Sequence, residues 1–160
     1  MNNVNVGEEI KKYIEDCKSN IKYYDIKNNT FYNAEKIIKD DGKIEIKKRN
    51  NKDIKINKIT TSQLRLLLSN TVIIKNKIQV ELKGNKENRV SEKLENEVKY
   101  LFVKHIYQCG RDLNVKSFDE NFKISEKMKK IEKSTKNFND FYRYLEEIVA
   151  YMKYYGFDDK

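Results

Sequence analysis

Side chains able to act as nucleophiles, general bases or soft metal ligands are scarce in this chain. There is one histidine, His105, and there are two cysteines, Cys17 and Cys109, far apart in sequence. A zinc site on His105 would need its remaining ligands from carboxylates, and no ligand spacing supports one. The 25 Asp and Glu are dispersed among lysines, as on solvated faces, so no positioned acid–base pair stands out. The phosphate-loop, dinucleotide-binding and nucleophile-elbow glycine patterns do not occur, and the five glycines are scattered. The residues assign no catalytic site, no metal and no cofactor.

What the chain has in quantity is positive charge. Its 34 Lys and Arg give a net charge of +9, and such a field attracts polyanions and speeds encounter with them. Part of that excess is compositional. Lys, Asn and Ile dominate the chain, and A/T-only codons encode all three, so a low-GC genome would raise Lys on any solvated surface. Only five basic residues are Arg, at positions 49, 65, 89, 111 and 143, and these carry more information.

Other classes drop out. The start, Met1-Asn2-Asn3-Val4, has no basic stretch followed by an apolar core, so no signal peptide is expected. The longest apolar runs, such as Tyr100-Leu101-Phe102-Val103, fall far short of the roughly 18 residues a membrane span needs. The cysteines then read as reduced cytosolic thiols, and the protein as cytoplasmic with no membrane partner. At 160 residues the chain fits a single domain with a core large enough to fold unstapled.

Positioning falls to helices, because Pro is absent and Gly rare. Ile10, Ile14, Cys17 and Ile21 recur at helical spacing and predict a helix near residues 8–24. Phe31, Ala34, Ile37 and Ile38 predict a short helix after Thr30. Residues 43–58 alternate and fit a small hairpin, Lys43–Ile46 against Asp53–Ile56, or a polar mobile loop. Thr60-Thr61-Ser62-Gln63 is a capping box opening a helix to about Leu82, ended by Gly84. That helix is apolar on two sides: Leu64, Leu67, Leu68, Ile74 and Ile78 on one, Leu66, Ile73 and Val80 on the other. Such a helix is central or covered by a partner. Ser91 caps the next, with Leu94, Val98, Leu101 and His105 in register up to Gly110. A fourth segment carries Val115, Phe118, Phe122, Met128 and Ile131. The last helix, capped near Ser134 or Thr135, places Phe138, Phe141, Leu145, Ile148, Val149 and Met152 on one stripe. The fold class expected is all-α: a compact bundle of about five to six helices, with room for a small irregular or hairpin insertion near residues 43–58.

On this scheme His105 faces the core, and Cys109, one turn on, is a small hydrophobe. Replacing His105 by Phe or Leu should keep stability within about 1.5 kcal/mol. Replacing it by Asp would bury a carboxylate with no obvious partner. The opposite side of the same helix carries Lys93, Tyr100, Lys104 and Tyr107, with Arg111 joining if the helix continues past Gly110. Cations interleaved with rings suit a nucleic-acid strand, neutralising phosphates while rings stack on bases or riboses. They also suit an ordinary solvated face with amphipathic tyrosines. Arg143 pairs equally well with Glu147, and the Lys127–Lys130 run reads as a solvated face.

Three motifs in order then resemble a known family. They are Ile59-Thr60-Thr61-Ser62-Gln63-Leu64-Arg65; Val103-Lys104 with Tyr107-Gln108-Cys109-Gly110-Arg111; and Phe141-Tyr142-Arg143-Tyr144-Leu145-Glu146 with Val149-Ala150-Tyr151 and Lys153-Tyr154-Tyr155-Gly156. Together they resemble the small subunit of the type III-A CRISPR (Csm) effector complex, over about residues 59–160. Residues 1–160 then form a single helical domain, with a variable N-terminal region, 1–58, before a family-like core, 59–160. The resemblance implies a non-catalytic protein stacked in several copies along guide RNA and target RNA, beside the large subunit and the backbone subunits. Its motif cations are Arg65, Lys104, Arg111, Arg143 and Lys153, of which the first three are expected on phosphates. Lys48, Arg49 and Lys58 are possible extra RNA contacts from the preceding loop. The rival reading is a basic helical adaptor for an acidic protein partner.

Overall fold

The computed structural model describes residues 5–83 and 88–156, so the chain start at Met1–Val4 and the expected helix stop at Gly84 lie outside the described residues. In chain order the elements are α1 Val6–Lys18, β1 Lys22–Asp25, β2 Thr30–Asn33, β3 Glu35–Ile38, β4 Ile44–Lys47, β5 Ile54–Lys55, α2 Thr61–Leu82, α3 Glu92–Arg111, α4 Leu113–Phe122, α5 Ile124–Lys129 and α6 Thr135–Tyr154. The chain is mostly helical but not all-α, which corrects the fold class expected from the sequence.

Every long helix starts on a side-chain cap. Asn5 accepts from the Glu8 amide to open α1, Ser91 from Leu94 to open α3, and Ser134 from Asn137 to open α6. At α2 the full capping box forms: Thr60 Oγ1 accepts from the Gln63 amide at 3.1 Å, and Gln63 Oε1 accepts from the Thr60 amide at 3.0 Å. The fourth apolar segment, after Arg111, forms two helices. Lys123 adopts a left-handed conformation, φ 54°, which ends α4 before α5 begins.

The main core collects one face of each helix, including Ile10 and Ile14 of α1, Leu64 and Ile74 of α2, Phe118 of α4 and Leu145 and Ile148 of α6. Tyr13 ties the N-terminal half to this core. Its ring meets Phe118 and Phe122 edge-on at 6.0 and 5.4 Å, and its hydroxyl accepts from the Ile59 amide at 2.7 Å. Helix α1 lies close on α6 because Gly7 has no side chain; a Cβ there would come within 2.9 Å of Tyr151.

Residues 22–55 depart most from expectation. Strand β1 pairs antiparallel with β2 and with β5, giving the order β2-β1-β5, while β3 pairs with β4 as a separate hairpin. Phe31, Ile37 and Ile38 therefore belong to strands, and Ala34 links β2 to β3, so no helix forms there. The expected pairing of residues 43–46 with 53–56 does not form either: Ile44 faces Ile38, and Ile54 faces Tyr24. Tyr23, Tyr32 and Ala34 make a small core of their own with Ile46 packed against it. Helix α1 ends at Lys18, six residues short of the expected 24, because Asn20 turns left-handed at φ 58° and the chain enters β1.

Two substitutions rank the core against the caps. Phe118→Ala removes a fully buried ring and should cost about 3–5 kcal/mol in urea unfolding. Thr60→Ala removes one cap and should cost about 1 kcal/mol. The reverse order would contradict this packing scheme.

Candidate nucleic-acid interface

Helix α3 has one side to spend on the core. Leu94, Val98, Leu101, His105 and Cys109 are buried, and they recur at intervals of three and four residues. That rotation leaves Tyr100, Lys104 and Tyr107 outside, with Tyr100 60% and Tyr107 64% exposed. The Lys104 ammonium sits 4.7 Å from the centre of the Tyr100 ring, one turn away. The helix does continue past Gly110, so Arg111 occupies its last turn and is exposed.

Between α3 and α2 runs a groove of about 550 Å³. Leu66, Asn70, Gln63, Tyr100, Val103, Lys104 and Tyr107 are on its walls, and among the described residues that line it there is no carboxylate. Lys104 is the one Lys or Arg among those described residues. Arg65, exposed on the first turns of α2, precedes the groove residue Leu66. Arg65 and Arg111 are not among the groove residues; they sit on the same two helices. Lys93 lies apart, in a shallower pocket at the start of α3 with Lys77, Val80 and Glu81.

The remaining sequence candidates are dispersed. Arg143 and Lys153 are exposed on α6, and the ion pair expected between Arg143 and Glu147 is not among the described ion pairs. Lys58 is half-buried just before α2. Lys48 and Arg49 belong to the strand region: Lys48 is 5.5 Å from the Tyr23 ring centre and Arg49 4.3 Å from that of Tyr32. The Tyr32 hydroxyl holds this corner, accepting from the Arg49 amide at 3.1 Å and donating to Asp53. Arg49 borders a second cleft, of about 690 Å³, between the strands, α1 and α4. There Lys12, Lys22 and Arg49 are matched by Glu9, Asp16 and Glu120, so that cleft offers a polyanion no net attraction.

On its inner side α3 holds a polar cluster that sequence spacing missed. His105 Nε2 donates to Asp119 Oδ1 at 2.7 Å, and the Cys109 sulfur is 3.6 Å from the same nitrogen. Asp119 also accepts from the Ser125 amide at 2.7 Å and the Ser125 hydroxyl at 2.8 Å, so it caps α5 as well. Burial works against its charge, yet the hydrogen bonds from His105 and Ser125 hold its carboxyl below the usual range. Burial, with the Asp119 charge, pushes the Cys109 thiol up to about 12, so with no cation beside it the thiol keeps its proton. Cys17 is likewise pushed up by burial, to about 11. A signal for Asp119 was available: it lies one turn from Val115 and beside Phe118, on the apolar side of its own helix.

The histidine therefore has a partner, which changes the expectation for its replacement. His105→Phe should cost about 1–3 kcal/mol, since it strips a bond from a half-buried carboxylate. A double-mutant cycle with Asp119→Asn in urea unfolding should show the two sites coupled by about 1 kcal/mol or more. Additive effects would mean that the pair does not bear on stability.

A family model described as Csm2 type III-A matches residues 43–158, beginning upstream of the expected residue 59. A protein of Streptococcus thermophilus named CRISPR system Cms protein Csm2 is 39% identical over 101 residues, 63% of this chain and 76% of that protein. One of the same name from Mycobacterium tuberculosis H37Rv is 37% identical over 102 residues, 64% of this chain and 79% of its own length. The one from Enterococcus italicus is 29% identical over 128 residues, 79% and 89% of the two chains.

Proposed function

This chain belongs to the type III-A Csm2 family, a family of CRISPR effector subunits, and we propose that within such an effector it is a non-catalytic subunit holding guide RNA and target RNA. The observation that carries this reading is the outer side of α3, where Lys104 stands between two exposed tyrosines on a groove with no carboxylate among its described residues. Phosphates meet a cation there, and the rings offer stacking surfaces that tolerate any base. Arg65 and Arg111 extend the cationic track from the start of α2 and the end of α3. Sequence would be read by guide–target pairing, and the protein would respond to shape and charge.

Arg143, Lys153, Lys58, Lys48 and Arg49 are secondary contacts in this reading. Arg143 and Lys153 serve either RNA or a neighbouring subunit. Protein contacts fall to the second apolar stripe of α2. Leu66, Ile73 and Val80 recur every seven residues and are 54%, 54% and 68% exposed, a stripe that a helix keeps only when something covers it. Another copy of the chain, or the large or backbone subunits, would cover it. Among the described residues no helix is long and apolar enough to cross a membrane.

Binding of unrelated single-stranded RNAs tests the proposal. Each of Arg65→Ala, Lys104→Ala and Arg111→Ala should weaken all of them similarly and reduce the salt slope by about 0.7 per lost contact. The triple variant should stay folded, because the side chains are exposed. Changing Lys127, Lys129 and Lys130 to Ala removes the same charge and should matter much less. Equal losses from both triple variants would reduce the track to general surface charge. Undiminished RNA binding together with lost capture of an acidic protein partner would favour the adaptor reading. Nuclease or nucleotidase activity that disappears on a single carboxylate change would overturn the non-catalytic assignment.

A further inference from the structure

His105, Cys109 and Asp119 bring one nitrogen, one sulfur and one carboxylate oxygen within 4.8 Å of one another. His105 and Cys109 project from one side of α3 at i and i+4, and Asp119 comes from α4. The sulfur–nitrogen distance of 3.6 Å matches two ligands sharing a tetrahedral zinc, whose bonds of about 2.3 and 2.0 Å place them roughly 3.5 Å apart. The nitrogen–oxygen distance of 2.7 Å is a hydrogen bond, and it needs to open by only about half an ångström to admit an ion.

From this geometry we infer that His105, Cys109 and Asp119 form a binding site for a divalent transition metal of zinc's class, clamping α3 to α4. Thiolate, imidazole and carboxylate together favour zinc-like ions over magnesium or calcium, which take oxygen ligands. The surroundings are those of a metal site. Ser125 fixes the carboxylate through its hydroxyl on Oδ2 and its amide on Oδ1, the kind of outer hydrogen bonding that orients metal ligands. His105 also borders the α2–α3 groove, which supplies a path for the ion and room for water as a fourth ligand. The exchange balances in protons and charge. The imidazole proton moves from Nε2 to Nδ1, freeing Nε2 for the metal, and the Cys109 thiol proton leaves to solvent. A doubly charged cation then meets one thiolate and one carboxylate, and the buried site is neutral. This inference does not rest on the RNA reading, since none of the three ligands belongs to the exposed strip of Tyr100, Lys104 and Tyr107.

The full-length chain, stripped with a chelator under reducing conditions, should be titrated with Co²⁺ and with Zn²⁺. One Co²⁺ per chain should bind and give a thiolate-to-cobalt charge-transfer band. Zn²⁺ should displace it and raise the unfolding temperature. Cys109→Ala should abolish the band, Cys17→Ala should keep it, and Ser125→Ala should weaken binding about 10- to 100-fold. Because Cys109→Ala could unfold, Asp119→Asn gives a second reading, with binding reduced at least tenfold while the circular dichroism of the fold persists. No charge-transfer band and no thermal shift in the wild-type chain would overturn the inference and leave a plain His–Asp hydrogen bond. A band that persists in Cys109→Ala, or is lost in Cys17→Ala, would overturn it too.

Discussion

One helix sets the rest of the molecule: α3 can bury only one side, and it buries Leu94, Val98, Leu101, His105 and Cys109. Each of the four apolar ones gains by leaving water, together several kcal/mol, which no arrangement of exposed tyrosines and lysines could offset. The rotation of α3 is therefore fixed from within. Tyr100, Lys104, Tyr107 and Arg111 are displayed as a consequence, at the spacing of one helical face.

The polar cluster beneath that face sharpens the constraint. Among the buried residues of α3 only His105 is strongly polar, and it must find a partner or leave the core. Asp119 is that partner, and Asp119 is itself placed by the left-handed turn at Lys123 and the two Ser125 bonds. So α3, α4 and α5 are locked in rotation by a directional contact as well as by packing. Apolar contacts alone would tolerate more slippage. From α4 the chain of contacts runs on through Phe118 and Phe122 to Tyr13, and through the Tyr13 hydroxyl to Ile59, at the mouth of the α2–α3 groove.

Helices were legible because their signals are local. Thr60, Ser91 and Ser134 mark starts by short-range side-chain chemistry, and an apolar stripe repeated over five turns overrides any single residue. Residues 22–55 were not, because four-residue strands show only two side chains per face, and β5 pairs with a strand about thirty residues earlier, Ile54 with Tyr24. Phe31, Ala34, Ile37 and Ile38 fit a helical spacing by coincidence. The corrective signal was Asp41-Gly42 between Ile38 and Ile44, a hairpin turn in which Gly42 takes φ 81°. Of the candidate site, the burial of His105 and the exposure of the strip follow from periodicity. The pairing of Asp119 with His105 does not, since only the fold brings position 119 to position 105. Lys48 and Arg49 had a place in the sequence but no location until the strands showed them over Tyr23 and Tyr32.

The central claim is that the outer side of α3 faces RNA in the assembled effector. Ultraviolet crosslinking of the native complex, followed by mass spectrometry of peptide–nucleotide adducts, tests it most directly. The account predicts adducts at Tyr100 and Tyr107, on α3. Adducts confined to the strand region around Arg49, or an α3 strip crosslinked only to protein, would contradict it.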